Sequence, residues 1–186
     1  MNPQSNARGI LLMVISMGAF ALADMLVKLS SSFLSPAQVL FFLTSGALIL
    51  FAFMAIARGE SLSDPRAFAP VLLLRYVSEV IGMVGMVLAL TYVPLSTVGA
   101  ITQAAPILVA IGAVLFLGEN VSWRRWTAIA VGFVGVWLII QPGAQGFDFA
   151  VLWAVLALVA MSIRDLTTRL TPPGMPSTSL ATYTMV

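Results

Sequence analysis

Residues 70–92 read PVLLLRYVSEVIGMVGMVLALTY, an apolar run of bilayer-spanning length with Arg75 and Glu79 set inside it. As one helix, this stretch puts Glu79 near its middle and Arg75 one turn nearer the N-terminal end. Four residues apart, the two charges share a face and can pair with each other or with neighbouring helices. A charged side chain near the bilayer centre costs about 2.5 to 3.5 kcal/mol on insertion scales, so it faces a bundle interior or a wet cavity. Other helices must therefore surround this one. Ser78, Gly82, Met83 and Met86 continue the face with small or pliable side chains that leave room beside the charges.

The rest of the composition agrees. The chain of 186 residues is 60% hydrophobic and only 9% charged, with mean hydropathy +1.04. A soluble domain is about 45 to 50% apolar and about 25% charged. The chain therefore reads as an all-α, polytopic transmembrane helix bundle, with room for about six or seven spans of about 20 residues. Its net charge of +2 comes without a basic stripe or an acidic tail, which excludes nucleic acid as a sensible partner. With no Cys and no His, disulfides, thiolate nucleophiles and the commonest general base and metal ligand are unavailable. No cofactor, metal or catalytic set is expected, and protonation chemistry would run through Asp24, Glu79 or Asp165.

Gly9 to Leu29 reads as the first span, with Asp24 about two thirds along and Lys28 at its far end, able to snorkel to the interface. A leader cleaved after Ala21-Leu22-Ala23 is the competing reading. Leu34 to Ala57 is the second span, opening at Ser35-Pro36. Arg58 to Arg66 forms a polar loop. Leu95 to Leu117 is the fourth span. Pro106 at its centre has no N–H for the Thr102 carbonyl, and Gln103 lies beside the bend, so Thr102, Gln103 and Pro106 mark a polar mid-membrane site. Trp126 to Ile140 with its flanks makes the fifth span, Phe147 to about Leu166 the sixth, and Leu180 to Val186 opens a seventh. With a cytoplasmic N-terminus, one side collects Arg8, Arg58, Arg66, Arg124, Arg125, Arg164 and Arg169, and the other only Lys28, a strong positive-inside bias.

The sixth span also repeats the first: at one constant offset Asp24 falls on Asp165, Lys28 on Arg169, Leu29 on Leu170 and Ala19 on Ala160. The intervening spans invert the second copy, which predicts the inverted-repeat architecture of secondary transporters. A complete second copy would need about 290 residues, so the sequence reads as a fragment or a truncated reading frame.

Several motifs carry a family resemblance. Ala89-Leu90-Thr91-Tyr92-Val93-Pro94-Leu95, Ala100 to Pro106, Leu117-Gly118-Glu119, Trp123 to Trp126 and Gly132-Phe133-Val134-Gly135-Val136 resemble the EamA repeat of the drug/metabolite transporter superfamily. The Arg75-x3-Glu79 pair is similar to a bacterial subgroup. The resemblance implies a ten-helix inner-membrane carrier of two inverted five-helix repeats, moving small organic solutes through a central cavity. Here residues 9–141 would be the first repeat and 147–186 an incomplete second. One departure is Leu43, where related proteins often carry an Arg after the aromatic pair Phe41-Phe42.

The leading expectation is a permease working by alternating access in the inner membrane. Arg75 and Glu79 line the cavity, Thr102, Gln103 and Pro106 contact solute, and Asp24 with Glu79 are the candidates for coupling to a proton or cation. The competing structural role for these charges is internal ion pairing, Arg75 with Glu79 and Asp24 with Lys28. Partners are a small-molecule solute and membrane lipids, with a homo-oligomer allowed. The alternatives are a half-length assembly partner without transport of its own, and a membrane enzyme acting on a lipid-linked substrate. That enzyme would have to draw on the scattered Glu60, Asp64, Glu119 and Asp148. A channel would need a ring of like charges or a carbonyl filter, and the sequence has neither.

Overall fold

The computed structural model describes residues 3–59, 68–118, 122–140, 148–171 and 177–185. Among them all regular structure is helical, in eight segments: α1 Pro3–Ser30, α2 Pro36–Ala57, α3 Pro70–Tyr92, α4 Leu95–Thr102, α5 Ala105–Leu117, α6 Trp123–Ile140, α7 Val151–Arg169 and α8 Ser177–Met185. Five stretches are long and apolar enough to cross a bilayer: Gly9–Ser30, Pro36–Ala57, Pro70–Tyr92, Leu95–Leu117 and Val151–Arg169. The chain is a multi-pass membrane protein.

Local chemistry sets the boundaries. At the start of α2, the Ser35 hydroxyl accepts from the Gln38 N–H (3.4 Å) while the Gln38 side chain accepts from the Ser35 N–H (2.9 Å). With Pro36 in the first turn, this satisfies donors that a helix start leaves orphaned. Gly118 ends α5 in the left-handed region, φ +67°, where a side chain would be strained.

The expected fourth span is divided. Residues Gln103 and Ala104 form a turn between α4 and α5, and Pro106 sits in the first turn of α5. Pro106 has no N–H for the Thr102 carbonyl, and Ile107 donates to Ala104 (2.9 Å) in place of Gln103. A proline expected as a mid-helix kink thus serves as the start of a new helix, the position its ring tolerates best. The sixth span is also shifted: Phe149 and Ala150 are a turn, and α7 runs on to Arg169.

The centre of the bundle is the antiparallel pair α3 and α7. Their register holds along the whole contact: Arg75 meets Thr168, Glu79 meets Arg164, Gly82 meets Met161 and Gly85 meets Ala157. Glycine is required at the last of these. A Cβ on Gly85 would lie 3.1 Å from the Ala157 nitrogen and 3.1 Å from the Trp153 carbonyl oxygen, backbone atoms of the facing helix. Small residues let apolar helices approach until their backbones touch, and dispersion replaces the hydrophobic drive that lipid cannot supply. Ser78 and Gly82, expected to leave space beside the charges, are both buried, Gly82 against Met161 of α7.

The two ends of this pair differ in chemistry. The far end of α3 and the start of α7 join α1, α2 and α4 in an apolar cluster that includes Val27, Val39, Leu90, Val93, Ile101 and Leu158. The near end, where α8 packs on α2 and α3, is charged and hydroxylated. In contrast, α1 exposes nearly all of its apolar side chains between Ile10 and Phe20.

Candidate functional site

At the charged end, α3 supplies Arg75 and Glu79, α7 supplies Arg164, Asp165 and Thr168, and α8 supplies Thr184. Glu79 lies between two guanidinium groups. Its Oε1 is 2.9 Å from Arg164 Nη1 and its Oε2 is 3.4 Å from Arg75 Nη2. Arg164 also pairs with Asp165 at 2.8 Å. Arg75 donates through Nε to Thr168 Oγ1 (3.0 Å) and through Nη1 to Thr184 Oγ1 (3.2 Å). Both threonines can accept because each hydroxyl gives its own proton to a helix carbonyl, Thr168 to Arg164 (2.7 Å) and Thr184 to Leu180 (2.9 Å).

Exposure ranks these groups. The side chains of Arg75 and Glu79 are 13% and 16% exposed, against 28% and 46% for Arg164 and Asp165. The ion pairs therefore run from a shielded inner carboxylate to a half-open outer one. Two acids and two bases give the cluster no net charge. An added proton or an anionic solute group would then compete for existing partners, in a setting where unpaired charge is costly.

Aromatic rings flank the cluster. The Arg75 guanidinium carbon is 5.9 Å from the Tyr76 ring centre. Tyr76 and Tyr183 lie 6.5 Å apart with planes 36° apart, and Phe68 meets Tyr183 edge-on at 6.4 Å. Among the described residues, the Tyr76 hydroxyl and the Thr171 hydroxyl are buried without a hydrogen-bond partner.

Arg75 and Glu79 do pair and face inward, as their spacing predicts. The other named residues lie apart from them. The Thr102 hydroxyl turns back onto the Val98 (3.0 Å) and Gly99 (3.1 Å) carbonyls of its own helix. Gln103 and Pro106 are exposed at the α4–α5 break, and among the described residues the Gln103 amide makes no hydrogen bond. Asp24 is half-buried on α1, and no hydrogen bond or ion pair among the described residues reaches it. Lys28 neither pairs with Asp24 nor reaches outward: its Nζ donates to the carbonyls of Val93 (2.9 Å) and Thr91 (3.3 Å). A cation there satisfies the last carbonyls of α3 and opposes the negative end of its dipole. Leu43 lines an apolar groove of about 260 Å3 between α1 and α2, with Ala23, Leu26 and Phe42 among its neighbours.

Arg164, Thr168 and Thr184 are the site residues that sequence reading missed. The signal for Arg164 was its place beside Asp165 inside an apolar run; nothing comparable marked Thr184. Among the loop acids, Asp148 caps a turn by accepting from the Ala150 N–H (2.8 Å). Glu60, Asp64, Arg66 and Glu119 lie outside the described residues, as do the side chains of Arg8, Arg124 and Arg125.

Known proteins share this sequence pattern. The S-adenosylmethionine uptake transporter of Rickettsia prowazekii is 28% identical over 159 residues, 85% of this chain and 53% of that protein. The riboflavin transporter of Rhizobium johnstonii is 32% identical over 90% of this chain and 56% of its own length. The pseudopaline exporter CntI of Pseudomonas aeruginosa is 30% identical over 72% and 46% respectively. The chain thus spans about half the length of the curated relatives it matches, and no solved structure matches it. A model of the EamA-like transporter family covers residues 7–141, which takes in all but the first residues of α1, α2 to α6 and the Arg75–Glu79 pair. By that match, with helical spans in the expected order, the chain belongs to the EamA-like transporter family.

Proposed function

We propose that this chain forms the first repeat and the opening helices of the second repeat of a secondary carrier that moves a small organic metabolite by alternating access. Residues 9–141 are the first repeat and 147–186 the incomplete second. The site is the charged end of the α3–α7 pair, in the inner membrane with the N-terminus cytoplasmic. The observation that carries this reading is Glu79, a carboxylate near mid-span, shared at 2.9 and 3.4 Å by guanidinium groups of two different helices. Ion pairs that serve only to hold helices together are replaceable by apolar packing. One that neutralises itself inside lipid and can exchange a partner for solute is a switch. S-adenosylmethionine, riboflavin and pseudopaline are the solutes named for the relatives, which supports a small organic metabolite as the solute here.

In this mechanism Arg75 and Arg164 hold Glu79 in the empty state. A solute carboxylate takes one guanidinium from Glu79, whereas a proton on Glu79 releases it. The Arg75–Thr184 contact to α8 then loosens while the glycine-packed α3–α7 pair stays intact, so α8 moves against that pair. Thr102, Gln103 and Pro106 offer solute contacts at the α4–α5 break, where helical carbonyls lack donors, and Asp24 supplies a second carboxylate for ion coupling. The test is counterflow of labelled riboflavin and S-adenosylmethionine in proteoliposomes by the parent chain, Glu79→Gln and Arg75→Ala. Uptake lost in both variants supports the reading, and uptake unchanged in both removes the pair from the mechanism. An assembly partner without transport of its own would show no counterflow by the parent and a crosslinked complex with a second chain in membranes.

A further inference from the structure

Arg164 is shared between two carboxylates, and each takes a different part of it. Its Nη1 alone reaches Glu79 (2.9 Å), whereas Nε and Nη2 both donate to one oxygen of Asp165, at 2.9 and 2.8 Å. We propose that Asp165 is a positioning residue of the site: it holds one edge of the Arg164 guanidinium and shares its charge, which keeps Glu79 from being locked between two cations. The proposal rests on the carrier reading for the work that Glu79 does, and goes beyond it in naming what sets the strength of Arg164's hold.

Three observations support it. First, the Arg164–Asp165 pair lies within α7 and ties no two helices together. Adjacent residues on a helix point about 100° apart and do not face each other. The Arg164 side chain therefore spans the angle between its neighbour and α3, and because a guanidinium is a rigid planar fork, fixing one edge aims the remaining nitrogen. At the equivalent place in α1, Asp24 follows Ala23, and no ion pair among the described residues reaches it. Second, the charges balance only with Asp165 counted. Glu79 meets Arg164 at 2.9 Å and Arg75 at 3.4 Å, one carboxylate before two cations. In a low-dielectric span an uncompensated cation tightens its hold on whatever carboxylate is left to it. Third, the two acids differ in exposure, 46% for the Asp165 side chain against 16% for Glu79. Water helps to solvate the outer carboxylate, whereas the inner one depends on its protein partners. Asp165 can thus remain the counter-charge of Arg164 while Glu79 changes partners.

The test uses the whole chain, with helicity by circular dichroism read for every variant. In a sodium dodecyl sulfate titration, Glu79→Gln should shift the unfolding midpoint further in an Asp165→Asn background than in the parent, since Arg164 then leans on Glu79 alone of the two carboxylates. In proteoliposome counterflow of labelled S-adenosylmethionine or riboflavin, Asp165→Asn and Asp165→Ser should slow exchange at saturating solute about tenfold, and Asp165→Glu should keep at least about half the parental rate. Adding Arg164→Gln to Asp165→Asn restores the charge balance and should raise the rate at least about threefold over Asp165→Asn, a recovery that a residue merely stabilising α7 would not give. Two neutral variants at a half-exposed position keep the outcome from hanging on one that fails to fold. An equal Glu79→Gln shift in both backgrounds overturns the proposal. So does a parental rate in folded Asp165→Asn and Asp165→Ser, or a double variant no faster than Asp165→Asn. The two readings fail separately: a parent without counterflow sinks the carrier, whereas the titration judges Asp165 without transport.

Discussion

Replacing Glu79 gives the most informative perturbation, because the structure specifies what each partner keeps. In Glu79→Leu, Arg164 retains Asp165 at 2.8 Å and Arg75 retains Thr168 and Thr184 at 3.0 and 3.2 Å. Orphaning a buried charge costs about 3 to 5 kcal/mol. With partners left to both arginines and 28% exposure on one of them, the loss should fall at the low end, about 3 kcal/mol. Glu79→Gln keeps one oxygen to accept from one guanidinium, through a neutral acceptor about half as strong, so about 1 to 2 kcal/mol is expected. The assay is sodium dodecyl sulfate titration of the micellar protein, followed by circular dichroism. A double-mutant cycle of Glu79→Gln with Arg164→Gln should show coupling of about 1 to 2 kcal/mol, and the cycle with Arg75→Gln less, since that contact is longer and Arg75 has two other anchors. A triple change to apolar residues, Arg75→Met, Glu79→Leu and Arg164→Met, should recover most of the stability and none of the transport. Stability within about 0.5 kcal/mol of the parent in Glu79→Leu, or no coupling to Arg164, would refute the arrangement.

Four further outcomes follow from the packing. Gly85→Ala should destabilise the bundle by about 1 to 2 kcal/mol in the same titration, because the new methyl meets fixed backbone. Gly82→Ala should be near neutral, since its nearest neighbour is the pliable Met161 side chain and alanine favours helix. Lys28→Met should cost about 1 to 3 kcal/mol by leaving two carbonyls unpaired, read as faster amide exchange at the α3–α4 junction. Pro106→Ala restores an N–H for the Thr102 carbonyl and should join α4 to α5, giving more helix by circular dichroism and, on the carrier reading, slower counterflow.

Helix position and order, the divided fourth span aside, were legible because each span is a local signal: about 20 apolar residues with a turn on either side. The inward face of α3 was legible for the same reason, since four-residue spacing aligns Arg75 with Glu79 on any helix. Pro106 announced a break, but its placement at Gln103 and Ala104 depended on which neighbouring N–H groups found other acceptors. What stayed hidden was pairing across distance. Arg164 reads from sequence as one more charge on the positive side, and only the antiparallel seating of α7 on α3 turns it toward Glu79. Lys28 misled in a similar way: a lysine at a helix end looks free to reach water until the α3 terminus occupies the space beside it.

The seating of α7 on α3 also bears on how the chain is made. Glu79 and Arg164 are separated by 85 positions, and ribosomes add about 5 to 20 residues per second. For roughly 4 to 17 seconds after Glu79 enters the insertion machinery, its stronger partner has yet to be synthesised. During that wait Arg75, one turn away, is the partner among the described residues already in place, so the nearer arginine doubles as a temporary escort for the carboxylate on its way into the bilayer.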